Sequence, residues 1–379
     1  MKVGIIYYQY PLYNKGSYIQ EQVDEVAKQV EKVVLLATHY PKRSQFEKPE
    51  NLEVIWLPRI EIPILSDILF NLCILSKALF SKSIRELDII NVVCARGGPA
   101  AFFLRAILRK PVVLTIEMIN EDNGSFVEKA IYLFQRWTYR LNFDRIICWS
   151  TYYQKYLEKW GIDPKKVSII PGGINLDRYS LSVSGEEIRK KFPADCCLIV
   201  FAKPLYTYNR KMAQLLLRAI SLVKSDVRLL VGDGEERPLL EKTIEELNLQ
   251  KQVTFMPVVP ITEIPKYIAA SDIIVLPYTY SATTSRSLLE SLAMGKPIIT
   301  TFAGEVSKVV VDQKNALLVQ PEPAEIAKAI ASLSKDKNLR QKLGREARIL
   351  VEKDYSIQKT AEKTIDQFKL AITNYENSK

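Results

Sequence analysis

The chain has 379 residues, of which 47% are hydrophobic and 25% charged, a balance that excludes a disordered chain and is too long for one ordinary core. Its net charge of +10 is spread evenly, with 24 basic and 19 acidic residues in 1–180 and 29 and 24 in 181–379. No basic run interleaved with aromatics occurs, which argues against nucleic acid and favours an anionic ligand or an anionic membrane surface.

Short β-branched runs at 3–8, 33–38, 54–57, 89–93, 112–116, 146–149 and 167–170 read as buried parallel strands. Helical patterns at 17–30, 66–86, 100–108 and 125–141 alternate with them, so the first half reads as a doubly wound α/β domain. The polar stretch 175–195, with Ser182, Ser184, Gly185 and Pro193, is expected to be an interdomain linker. Strand patterns restart at 196–201, 227–231, 253–256, 273–276, 298–301 and 316–319, which predicts a second α/β domain. A last helical pattern at 356–372 has no strand after it and is free to pack elsewhere. The domains expected are therefore 1–180, 181–355 and a terminal helix in 356–379.

Cys73, Cys94, Cys148, Cys196 and Cys197 are odd in number and mostly set in apolar segments, as reduced thiols are. With His39 the sole histidine, a His/Cys zinc site is excluded and a Ser-His triad has little support. The N-terminus enters a strand pattern directly, so a cytoplasmic protein is expected. No apolar run reaches membrane-spanning length; the nearest, 62–80, is broken by Asp67, Asn71 and Lys77, and reads as a core-facing helix or an amphipathic surface helix.

In open parallel sheets ligands bind beyond the carboxyl ends of the strands, so the loops there carry the candidate chemistry. After the first strand, Gly16 would let the backbone approach a ligand and Ser17 would cap a helix, although an ordinary strand-to-helix loop reads the same way. The tight exit Pro171-Gly172-Gly173 suits a hinge. Lys203, closing a strand, and Lys211, opening a helix, are placed to meet a diphosphate; the alternative is that they are solvated surface lysines. Gly232-Asp233-Gly234 is a tight turn.

The most informative segment runs from Pro277 through a hydroxyl-rich loop and a helix to Gly295-Lys296-Pro297. Leu288, Leu289 and Leu292 form an apolar stripe on that helix, with Arg286 and Glu290 opposite. One reading is an exposed i,i+4 ion pair. The sharper one puts Thr283, Thr284 and Ser285 with their N–H groups on a phosphate, and the two oxygens of Glu290 on vicinal ribose hydroxyls.

The segments Pro171-Gly172-Gly173-Ile174-Asn175, Gly232-Asp233-Gly234-Glu235, Asp272-Ile273-Ile274-Val275-Leu276-Pro277 and Leu289-Glu290-Ser291-Leu292-Ala293-Met294-Gly295-Lys296-Pro297 occur in the order and spacing of glycosyltransferase family 4, which the chain resembles over nearly its whole length. The resemblance implies a GT-B architecture: two Rossmann-like doubly wound domains facing across a cleft, with the last helix returning to the first domain. It implies a retaining transferase that uses a nucleotide sugar as substrate, without metal or other cofactor, toward a glycan, lipid-linked or small-molecule acceptor. Lys203 and Lys211 match the basic pair on the donor phosphates, Glu290 the glutamate on the ribose, and Gly16 the first-loop glycine. Thr283, Thr284, Ser285 and Arg286 complete the phosphate-side set from the reading of the loop and helix start alone.

Besides lysine in place of the family's usual arginine at 203, two positions depart from the family pattern. The first glutamate of its paired motif falls at Ala282, and its strand-end histidine is replaced by Glu117. Glu117 is accordingly the candidate group for orienting or deprotonating the acceptor, with Lys203 and Lys211 stabilising the departing diphosphate. The rival expectations are an epimerase or hydrolase using Glu117, Glu121 or Asp122, and a non-catalytic binding subunit. Peripheral contact with the inner face of a membrane is a further expectation.

Overall fold

The computed structural model describes residues 1–9, 18–38, 48–120 and 125–378. The chain forms two compact units, one of residues 1–172 with 357–379 and one of residues 173–356.

Unit 1 is built on β1 (Lys2–Gln9), β2 (Lys32–Thr38), β3 (Leu52–Leu57), β4 (Ile89–Val93), β5 (Val112–Ile116), β6 (Arg145–Cys148) and β7 (Val167–Ile169). Its helices are α1 (Tyr18–Gln29), α2 (Pro63–Phe80), α3 (Lys82–Arg85), α4 (Gly98–Leu108), α5 (Phe126–Tyr139) and α6 (Thr151–Lys159). In unit 2, α7 (Glu186–Arg189) leads into β8 (Cys197–Phe201), α8 (Thr207–Ile220), β9 (Val227–Val231), α9 (Arg237–Glu246), β10 (Val253–Phe255), α10 (Ile264–Ala270) and β11 (Ile273–Leu276). It continues through α11 (Arg286–Ala293), β12 (Ile298–Thr301), α12 (Val306–Val309), β13 (Leu317–Val319), α13 (Pro323–Lys335) and α14 (Lys337–Asp354). The chain then returns to unit 1 with α15 (Ile357–Asn377).

Both sheets are parallel, in the orders β3-β2-β1-β4-β5-β6-β7 and β10-β9-β8-β11-β12-β13. The sequence dictates this: β4, β5, β11 and β12 are buried at every residue, as strands covered on both faces must be. In each sheet the order reverses beside the first strand, between β1 and β4 and between β8 and β11. Helices there leave to opposite faces, opening a crevice at the strand ends.

α15 packs on α1 and against β5 and β6, burying Ala361, Ile365 and Phe368 in the core of Val3, Ile5, Val23, Val26 and Leu35. Gln367 fixes its register, its Oε1 accepting from Arg145 Nη2 at 2.9 Å and Ser168 Oγ at 2.8 Å.

The linker expected at 175–195, and the boundary at 180, are corrected: the chain passes between units at Gly172/Gly173 and Ser356/Ile357. Residues 173–195 are held to unit 2 although they lack a long apolar run. Ile174 N donates to Tyr355 O, Tyr179 is fully buried, and Arg348 Nη1 donates to the Tyr179 carbonyl at 2.8 Å. Polar anchors and one aromatic do the work that an apolar stretch would otherwise do.

Candidate functional site

In unit 2 the switch point between β8 and β11 gathers the candidate donor residues. Lys203 follows β8, and its Nζ donates to Ser285 Oγ at 3.4 Å and lies 5.2 Å from the centre of the Tyr278 ring. Its loop is fixed from two sides. Asn209, in the first turn of α8, donates from Nδ2 to Pro204 O at 2.8 Å, and Leu205 N donates to Asp233 O after β9. Gly232 permits that approach: a Cβ there would stand 2.1 Å from the Lys203 carbonyl oxygen.

Ser285 occupies the N-cap of α11 but makes no side-chain cap hydrogen bond. The amides of Leu288 and Leu289 turn back to Ser285 O, whereas those of Arg286 and Ser287, in the first turn, precede the helical ladder. An uncapped helix N-terminus with a lysine beside it is suited to an anion. The preceding loop is held by Ser281, whose Oγ donates to Thr283 O at 2.6 Å and whose carbonyl accepts from Glu305 N. Gly304, at φ +50, brings that neighbouring backbone in; a Cβ would meet Ser281 O at 2.1 Å. Thr283, Thr284 and Ser285 are half-buried along this loop.

Glu290 sits one turn into α11 and is 5% exposed. Its Oε1 accepts from Arg286 Nε at 2.8 Å and from Tyr179 Oη at 2.7 Å. The ion pair foreseen as exposed is therefore largely buried, and one carboxylate oxygen rather than two remains uncommitted. Burial pushes the Tyr179 phenol well up, and the neighbouring Glu290 charge adds to this, so Tyr179 stays a donor. Burial also pulls the Lys203 ammonium down to about 8, against the opposing pull of Glu290.

Lys203, Ser285, Arg286 and Glu290 are thus brought together. Lys211 lies exposed on α8 and, among the described residues, its side chain makes no hydrogen bond or ion pair. Gly16, Glu121 and Asp122 lie outside the described residues. The sequence reading missed Tyr179, which carries no periodic signal and sits in what looked like linker. It passed over Tyr278, the residue two beyond the strand end that turns its ring to Lys203.

In unit 1, Glu117 follows β5 beside the corresponding switch point. Cys94, which follows β4 with φ +64, donates from Sγ to Glu117 Oε2 at 3.9 Å. Glu117 Oε1 is shut off from solvent and has no hydrogen-bond partner among the described residues. Burial lifts its carboxyl to about 8. The same burial, reinforced by Glu117, pushes Tyr7 on β1 and Cys94 up, so both remain protonated. Among the described residues no group of three or more His, Cys, Asp or Glu side chains is placed to hold a metal, and no helix is long and apolar enough to cross a membrane.

Two parallel sheets, each with a switch point beside its first strand, define a doubly wound, Rossmann-like α/β class. Residues 16–178 match the model of Glycosyltransferase Family 4, and residues 186–350 that of Glycosyl transferases group 1. The chain belongs to this family of group 1 glycosyltransferases and has its GT-B fold. A D-inositol 3-phosphate glycosyltransferase of Paenarthrobacter aurescens is 26% identical over 225 residues, 56% of this chain and 54% of that protein. The chain spans about half the length of the curated relatives it matches first. Sucrose-phosphate synthase from Thermosynechococcus elongatus shares the fold with a TM-score of 0.81 at 19% identity, covering 98% of this chain and 99% of that one. HepE of Anabaena, solved with UDP, aligns with a TM-score of 0.77 at 16% identity over 97% and 100%.

Proposed function

We propose that the chain transfers a sugar, with retention and without metal, from a nucleotide-sugar donor to a glycan, lipid-linked or small-molecule acceptor. The observation that carries this reading is the meeting of Lys203 Nζ with Ser285 at the uncapped start of α11, with Glu290 one turn further on. Lys203 and the first-turn amides receive the diphosphate, and the uncommitted oxygen of Glu290 accepts from a ribose hydroxyl. Positive charge and backbone dipoles fixed before the reaction then stabilise the leaving group as its charge develops. Lys211, exposed on α8 and without a side-chain partner among the described residues, supplies further positive charge in unit 2. The UDP of the HepE complex gives the nucleotide to try first.

Glu117 is proposed to face the acceptor. Held near 8, it keeps its proton at neutral pH and orients a sugar hydroxyl by hydrogen bonding, and the carboxylate form, which grows as pH approaches 8, takes the hydroxyl's proton. Retention and metal independence rest on the family resemblance. Ala282, where the family has its first glutamate, favours one second reading, a subunit that binds a nucleotide sugar without turning it over.

Calorimetric titration with UDP tests the donor site. Because the ammonium form of Lys203 binds, affinity falls as pH rises through about 8, by up to about tenfold per pH unit. Lys203→Met flattens that profile, and Glu290→Gln loses about tenfold or more in affinity at neutral pH. Parent-like titrations from both variants would remove the donor site from this crevice. Product analysis over a panel of nucleotide sugars and acceptors then separates transfer from hydrolysis and from binding alone.

A further inference from the structure

The geometry points to the outer face of α2, α4 and α5 in unit 1 as a docking surface for an anionic lipid bilayer. The face is contiguous, since α4 packs on both α2 and α5. The right-handed connections β3 to β4, β4 to β5 and β5 to β6 place these helices on one side of the sheet, opposite α1 and α15.

α2 is apolar over most of its surface, interrupted by Asp67, Asn71 and Lys77. Phe70, Ile74 and Ala78 are buried at helical spacing, yet Leu72 and Phe80 on the remaining surface are exposed. α4 exposes Phe103, and α5 exposes Phe126, Ile131 and Trp137, with Phe126 at 88%. Apolar area of this extent across three helices exceeds the scattered residues of an ordinary soluble surface.

Charge decides what covers it. Lys77, Lys129 and Arg136 on the same helices, and Arg140 at the C-cap of α5, are exposed and make no hydrogen bond or ion pair through their side chains among the described residues. Against them stand two acids on these helices: Asp67, paired with Arg96 at 3.6 Å, and Glu128, which accepts from Ser125 Oγ at 2.8 Å and keeps its charge. Leu133, Trp137 and Leu141 line a groove with Arg136 and Arg140, pairing an aromatic of the interfacial kind with two guanidinium groups. A second copy docked on this face would bring together two surfaces on which unpaired cations outnumber acids. A bilayer surface bearing phosphate headgroups over acyl chains meets both the basic and the apolar groups.

The proposal stands apart from the transfer reading, because vesicle binding is read without donor or acceptor. The full chain is sedimented with vesicles of phosphatidylcholine alone and of phosphatidylcholine mixed with phosphatidylglycerol. Binding is expected on the mixed vesicles and weakens with salt. It is lost in Phe126→Glu/Trp137→Glu and drops about tenfold or more in Arg136→Gln/Arg140→Gln. These side chains are exposed, so both variants should keep the parent's melting temperature and UDP affinity, which separates failed docking from failed folding and from a failed donor site. Absence of the chain from mixed vesicles, or equal binding by parent and variants, overturns the proposal. So does a concentration-dependent dimer, seen by light scattering without vesicle binding, that the same substitutions dissolve.

Discussion

Glu117 and Lys203 are displaced by burial from opposite sides to the same place, each near 8. Desolvation disfavours the charged form whatever its sign, so the carboxyl rises and the ammonium falls. For Glu117 this links stability to pH. Below its ordinary value of 4.5 the carboxyl is neutral both folded and unfolded. As pH rises the unfolded chain releases this proton first, so the stability contributed by the folded, protonated form is lost progressively until about 8 and no further above it. Glu117→Gln carries no such loss. Urea midpoints of variant and parent should diverge in the variant's favour from about pH 5 to about pH 8 and run parallel beyond. A constant offset across that range would show that Glu117 does not titrate there. At this scale the sequence was legible where chemistry and position coincide, as in Lys203 and Glu290. It was silent on Tyr179 and Cys94, because their importance comes from neighbours distant in the chain.

The buried strands were readable because a parallel strand covered on both faces must be apolar throughout. The site-bearing loops were readable as turns, but not the reason for their glycines. Gly232 is required by the carbonyl of Lys203, a contact between two strand ends that no local pattern encodes. Gly232→Ala should therefore push the Lys203 loop away from Ser285 and weaken UDP binding about tenfold or more, beyond any loss of stability. Titration at a temperature where the variant is fully folded measures this, and parent-like affinity would mean the loop yields without moving Lys203. α13 and α14 went unread. In α14 only Leu343, Gly344, Ala347 and Val351 are buried, a stripe too narrow to stand out among lysines, arginines and glutamates. α2 shows the converse: its run of apolar residues was legible, but which of them face outward depends on where the sheet lies.

On the scale of the whole molecule, unit 2 is one continuous stretch while unit 1 is completed only by α15, from the far end of the chain. Burying Ala361, Ile365 and Phe368 over the sheet of unit 1 is therefore a long-range step, and the free 356–372 pattern was the sequence's sign of it. Phe368 is fully buried, so Phe368→Ala should cost about 3–5 kcal/mol through lost apolar transfer and the cavity left behind. Every side chain assigned to UDP lies in unit 2. Nucleotide at about a hundred times its dissociation constant should then add about 2.7 kcal/mol to the unfolding of unit 2 in parent and variant alike. Hydrogen exchange reads the two effects separately. The substitution should speed exchange in β1, β4, β5 and β6, and UDP should slow it at Arg286 and Ser287. If Phe368→Ala instead abolished protection by UDP, the nucleotide site would depend on packing within unit 1, and its assignment to the end of β8 and the start of α11 would fail.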